Sequence, residues 1–220
     1  MSLIVRATFR RVSPPSAVVY LLVTGLLLLG GSWGWAQGRF TDVLVSVVKD
    51  KIVAVNGTGQ SEIALSVGET VVSTKSNGLT ALAITSARLL GFSSTLRHWS
   101  EQPLDADEHV SGSHVIRELS IVATDQHLYG FQEPQSHWSS DALGVNEQVR
   151  ELRADGHVAL AVTTTRMVGL SAFVNGFHAV DLQGDEQTQA IEHTGDAYLI
   201  KTTRRTLMFR SRIAGWSEMN

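Results

Sequence analysis

Four apolar runs of the chain stand at matched positions 39 residues apart. Leu82, Ile121, Leu160 and Leu199 form one series, and Ala83, Val122, Ala161 and Ile200 form the next. Neither series alternates with polar residues, so these segments predict strands covered on both faces. Around them lie shorter runs separated by turn residues. Beyond the first 36 residues no stretch holds a 3.6-residue apolar period long enough for a helix, which leaves an all-β chain.

One period shows the predicted elements. From Glu147 a first strand runs to Arg153, and Ala154-Asp155-Gly156 turns the chain. His157 to Thr163 and Arg166 to Ser171 make the second and third strands, and a fourth runs from about Gly176 to Leu182. The first strand is the most polar, which suits an innermost strand beside a wet channel. Other positions recur in step: Thr85, Thr124, Thr163, Thr202; Arg88, His127, Arg166, Arg205; and Gly91, Gly130, Gly169, then Met208. Phe92 is matched by Phe131, Leu170 and Phe209, and Trp99 by Trp138, Phe177 and Trp216.

Four complete units begin at Glu69, Glu108, Glu147 and Glu186. A degenerate copy, Asp42 to Ser66, precedes them. In it Val53 and Val55 stand for Leu90 and Phe92, two residues out of phase, while Leu65 is back in phase with Leu104, Leu143 and Leu182. That copy has material for strands two to four only, and its first strand would have to come from about Gly30 to Thr41. Four short strands per repeat of about 40 residues is the arithmetic of a propeller blade. The expected domain is a propeller over 37–220 with repeats at about 40–68, 69–107, 108–146, 147–185 and 186–220. Its first blade is irregular, and an incomplete ring closed by dimerisation is the other reading.

The hairpin from Leu119 to Phe131 resembles the middle of a blade of the β-propeller repeat superfamily, of WD or quinoprotein type. The resemblance covers roughly Phe40 to Asn220 and implies architecture alone. The Trp-Asp and Gly-His signatures of WD blades are missing, as is the Gly-Trp docking pattern of quinoprotein dehydrogenases. No functional residue carries over.

Composition narrows the function. Hydrophobic residues make up 43% and charged residues 18%, with a net charge of −3, which argues against a nucleic-acid binder. The chain has no cysteine, so thiol catalysis and thiolate metal sites are excluded. Arg6, Arg10 and Arg11 precede a charge-free run from Ala17 to Trp35, with small residues at Gly34 and Ala36. Residues 1–36 read either as a signal peptide cleaved after Ala36 or as an uncleaved transmembrane anchor. Both place the remainder on the extracytoplasmic, periplasmic side.

Two series are candidate ligand positions. Trp99, Trp138, Phe177 and Trp216 could stack on sugars, or wedge between blades as core. Glu69, Glu108, Glu147 and Glu186 could form a carboxylate ring for a cation, or pair with Arg88, Arg166 and Arg205. The core and pairing readings are preferred, because acids and rings that recur with the repeat are duplicated with it. His98 and His137 lack a third and fourth ligand, and the remaining histidines show no metal-binding spacing. No catalytic residue, metal site or cofactor is therefore assigned. The few acids that break the repeat are Asp105, Asp107, Asp125 and Glu192, and no loop is longer than its counterparts.

The expectation is a non-enzymatic docking or accessory subunit of a membrane-associated complex. Its partners would be other protein subunits, with the membrane reached through the N-terminal helix if that is uncleaved. A carbohydrate- or small-ligand-binding propeller is the alternative, and a hydrolase the third reading.

Overall fold

The computed structural model describes residues 42–219, all β apart from a single 3-10 turn at Glu133–Gln135. The N-terminal apolar segment, in either reading, lies outside the described residues, as does the expected first strand of the degenerate repeat. Among the described residues no helix is long and apolar enough to cross a membrane.

Among the described residues nineteen strands form five antiparallel sheets in chain order. The first sheet has three: β1 (Leu44–Val48), β2 (Lys51–Asn56) and β3 (Gly59–Ala64). The second is β4 (Val71–Asn77), β5 (Thr80–Thr85), β6 (Arg88–Ser93) and β7 (His98–Pro103). The third is β8 (Val110–Ile116), β9 (Leu119–Thr124), β10 (His127–Gln132) and β11 (His137–Ala142). Then come β12 (Val149–Asp155), β13 (Val158–Thr163), β14 (Arg166–Ser171) and β15 (Phe177–Asp181). The last is β16 (Thr188–Thr194), β17 (Ala197–Thr202), β18 (Thr206–Arg210) and β19 (Trp216–Met219). Each sheet is an up-and-down meander, and successive sheets pack face to face, as the blades of a β-propeller do.

The structure explains the two-residue phase slip. Val45 pairs with Ala54, and Leu82 pairs with Gly91, so β1 corresponds to a second strand and β2 to a third. The turn between β2 and β3 is Gly57-Thr58, where the second sheet uses the four residues from Ser94 to Arg97. Asn56 Oδ1 closes the short turn by accepting from the Thr58 amide at 2.9 Å. A hairpin shorter by two residues displaces β2 in sequence and leaves β3 in register.

Strand bounds follow the expected ones closely, with one instructive shift. In the fourth sheet the first strand begins at Val149 rather than Glu147, with a bulge between Val149 and Glu151 just inside its start. Glu147 belongs to the loop before it. Gly156, at φ 57°, supplies the left-handed residue of the following hairpin, a conformation costly for any residue with a Cβ.

The core consists of four junctions between sheets. Between the second and third, Leu82, Ile84 and Leu89 meet Val122, Tyr129, Phe131 and Trp138. Between the third and fourth, Ile121 and Leu128 meet Ala161, Val168 and Leu170, and the other two junctions repeat the scheme. The second strands β5, β9 and β13 thus send alternate side chains into two different junctions, which is why their sequences lack polar alternation. At each complete junction the glycine of one third strand seats the large side chain of the next sheet. A Cβ on Gly91 would lie 2.5 Å from the Phe131 ring, one on Gly130 2.1 Å from Leu170, and one on Gly169 2.7 Å from Phe209.

Candidate functional site

The recurrent aromatics sit in these junctions. Phe92 pairs across strands with Trp99, Phe131 with Trp138 and Phe209 with Trp216, with ring centroids 5.1, 5.2 and 5.2 Å apart. Leu170 and Phe177 take the same places in the fourth sheet. Each tryptophan also donates its indole N–H to the fourth strand of the preceding sheet. Trp99 reaches the Ser61 carbonyl at 3.4 Å, Trp138 that of Ser100 at 3.1 Å, and Trp216 that of His178 at 2.8 Å. Trp99 and Trp138 are buried and Phe177 and Trp216 half-buried, so their ring faces are engaged in inter-sheet packing.

The recurrent glutamates form a latch within each four-stranded sheet. Glu147 accepts from the Gly144 amide of its own loop at 2.7 Å, from the Thr163 hydroxyl at 2.6 Å and from Arg166 Nε at 2.9 Å. Thr163 in turn accepts from the amides of Thr165 and Arg166 in the hairpin turn. The loop between sheets is thereby tied to the turn between second and third strands. Glu69 with Thr85 and Arg88, and Glu186 with Thr202 and Arg205, make the same latch. Burial alone would raise these carboxyls. Hydrogen bonds from arginine, threonine and the loop amide more than offset it and hold Glu69, Glu147 and Glu186 at about 2. Each arginine also faces a second acid: Glu101 for Arg88, Asp141 for Arg166 and Glu218 for Arg205.

The third sheet departs from this scheme. His127 stands where the others have arginine, Asp105 where they have Ser66, Gly144 and Gln183, and Tyr129 where they have Leu90, Val168 and Leu207. Glu108 accepts from the Thr124 hydroxyl at 2.5 Å, His127 Nδ1 at 3.0 Å, the Tyr129 hydroxyl at 3.0 Å and the Asp105 amide at 3.2 Å. Burial opposes its ionisation, and these donors pull its pKa below the ordinary value. The Tyr129 phenol is pushed up, by burial first and then by Glu108, so it stays a neutral donor. Asp105, Glu108 and His127 each bring one ligand atom within 4.8 Å of the others. The sequence shows every one of these residues. Their convergence was hidden because the loop and the third strand meet only through the latch. On the opposite rim, His157 lies between Glu118 and Asp196 of the two adjacent sheets, at 2.8 and 3.8 Å.

The two ends of the array lack the junction apparatus. On the outer face of the first sheet Val55 pairs with Gln60 in place of a Phe-Trp pair. Leu44 and Val55 are 70% and 44% exposed, whereas Ala81 and Phe92 at the equivalent junction positions are 0% and 2% exposed. On the outer face of the fifth, Met208 fills the glycine seat, and Lys201 and Thr206 replace the apolar residues Val162 and Met167. No apolar cluster and no hydrogen bond among the described residues joins the fifth sheet to the first.

No family model and no curated protein matches the chain. Among solved structures it is similar to the N-terminal domain of Nup159, with a TM-score of 0.37 and 9% identity over 80% of this chain and 57% of that one. It is similar also to a chain of Kap60 bound to yeast RCC1 (Prp20), with a TM-score of 0.41 and 8% identity over 76% and 54%. A third is the extracellular domain of the one-component system BT4673 from B. thetaiotaomicron, with a TM-score of 0.35 and 12% identity over 81% and 26%. The chain thus spans about half the length of the first two. These are distant likenesses of fold.

Proposed function

We propose that the protein is a non-enzymatic docking subunit on the outer side of a membrane, held in a membrane-associated complex by its N-terminal apolar segment. The observation that carries this reading is the outer face of the first sheet. Its cross-strand pair Leu44 and Val55 is apolar and exposed, with half-buried Val53 beside it and Val48 at the strand end. The corresponding face of the fifth sheet is mixed: Lys201, Thr206 and Arg210 lie among half-buried Leu199 and Met208 and exposed Met219. The contrast favours the first sheet's more uniformly apolar face as the one that takes a partner. The recurrent aromatics and acids, the natural candidates for repeated ligand pockets, are engaged by the junctions and latches. That favours a surface over a pocket as the working part.

The test is a double substitution, Leu44→Lys with Val55→Glu, an opposite-charge pair that avoids repulsion between directly facing strand positions. Both side chains are exposed, so unfolding should shift by about 0.5 kcal/mol or less per site. Loss of two central apolar contacts should weaken assembly by about 2 kcal/mol or more. Mild extraction from native membranes followed by sizing is expected to show the wild type in a large species and the variant free, with Lys201→Glu at the other end behaving as wild type. An unchanged assembly in the double variant would refute docking through this face.

A further inference from the structure

We propose that Asp105, Glu108 and His127 form a binding site for one divalent transition-metal ion of the zinc class. The molecule supplies its own comparison. In the second, fourth and fifth sheets two carboxylates flank an arginine, a permanent cation. In the third sheet two carboxylates flank an imidazole, which unlike a guanidinium can offer a nitrogen lone pair to a metal. An array that neutralises a buried glutamate with arginine three times leaves its fourth without one. It has also added a second carboxylate within reach.

The geometry and donor set suit such an ion. The Glu108 side chain is fully buried and that of His127 is 27% exposed, while Asp105 is exposed at the mouth. His127 Nδ1 and Glu108 Oε1 are 3.0 Å apart. An ion at roughly 2.0–2.2 Å from each would take the place of the proton they share. One imidazole nitrogen and two carboxylate oxygens leave a position for water on the exposed side, the usual complement of an open zinc site. Two carboxylates and a neutral imidazole balance a charge of +2. Around them, Tyr129 and Thr124 donate to Glu108 and fix its orientation, as outer partners of metal-ligating carboxylates do.

Calorimetric titration of Zn²⁺ into chelator-treated protein tests the site. The wild type is expected to bind one ion per chain. His127→Arg installs the latch of the other sheets, so it should fold, but it removes a ligand and adds a permanent cation and should bind at least about 100-fold more weakly, more than the loss of an outer partner costs; Asp105→Asn, which also loses a ligand, should weaken binding as well. Because His98, His137 and the remaining histidines are intact in both variants, equal binding by wild type and His127→Arg would assign any affinity to scattered surface histidines and overturn the proposal. Absence of heat in the wild type would overturn it equally.

Discussion

Gly91→Val is expected to lower stability by about 3 kcal/mol, the top of the range for overpacking a tight core. A Cβ at position 91 would have no room in the junction. Its nearest neighbours are the Cγ and Cδ2 atoms of Phe131, both at 2.5 Å, which belong to a rigid ring held by Trp138 and buried in the junction. A leucine terminus could swing aside, as Leu170 could for Gly130. A ring fixed on both faces moves only with its strand. Urea denaturation measures the loss. Combining Gly91→Val with Phe131→Ala should cost less than the sum of the two, because removing the ring frees the seat. Gly112→Ala is the control, since its Cβ would meet only Leu152 at an ordinary 3.6 Å. A tolerated Gly91→Val, or strict additivity with Phe131→Ala, would contradict this view of the junction.

The second large effect comes from the latch. Arg166→Met leaves the Glu147 carboxylate buried with its threonine and amide donors but without a cation, and should cost about 3 kcal/mol at neutral pH. The pH dependence separates this from a loss of packing. Glu147 titrates at about 2 in the folded protein against 4.5 in the unfolded chain, so its contribution is complete above pH 4.5 and fades as pH falls toward 2. Glu69 and Glu186 behave alike, so acid should destabilise the wild type steeply across that window. In Arg166→Met burial dominates and raises the Glu147 pKa, which makes the variant less acid-sensitive. The stability gap should therefore narrow between pH 6 and pH 3, as urea midpoints at several pH values would show. A gap independent of pH would mean that the arginine acts through its aliphatic stem.

How much of this was legible in the chain depends on the range of the interaction. The repeat, the strand order and the irregular first sheet were visible because side-chain periodicity and turn residues are local. The two-residue slip at Val53 and Val55 was visible as well, but its cause, the short Gly57-Thr58 turn, needed the pairing of β2 with β3. Glu147 was read into a strand because recurrence marks a position without saying that its carboxylate must fold back onto Gly144. Met208 in place of glycine could be seen from the spacing. Its meaning depended on the next sheet's ring in the glycine seat, a contact about 40 residues distant. The constellation of Asp105, Glu108 and His127 was missed for a related reason. Metal ligands were sought at short linear spacing, whereas these come from a loop and a strand 19 residues further on.

The outer face of the first sheet is the surface on which a partner is proposed to sit. Hydrogen exchange of the full chain, free and within its native assembly, tests that placement most directly. Added protection confined to about residues 44–56, with the latches and the fifth sheet unchanged, is the expected result. Protection elsewhere with residues 44–56 exchanging as in the free protein would contradict it.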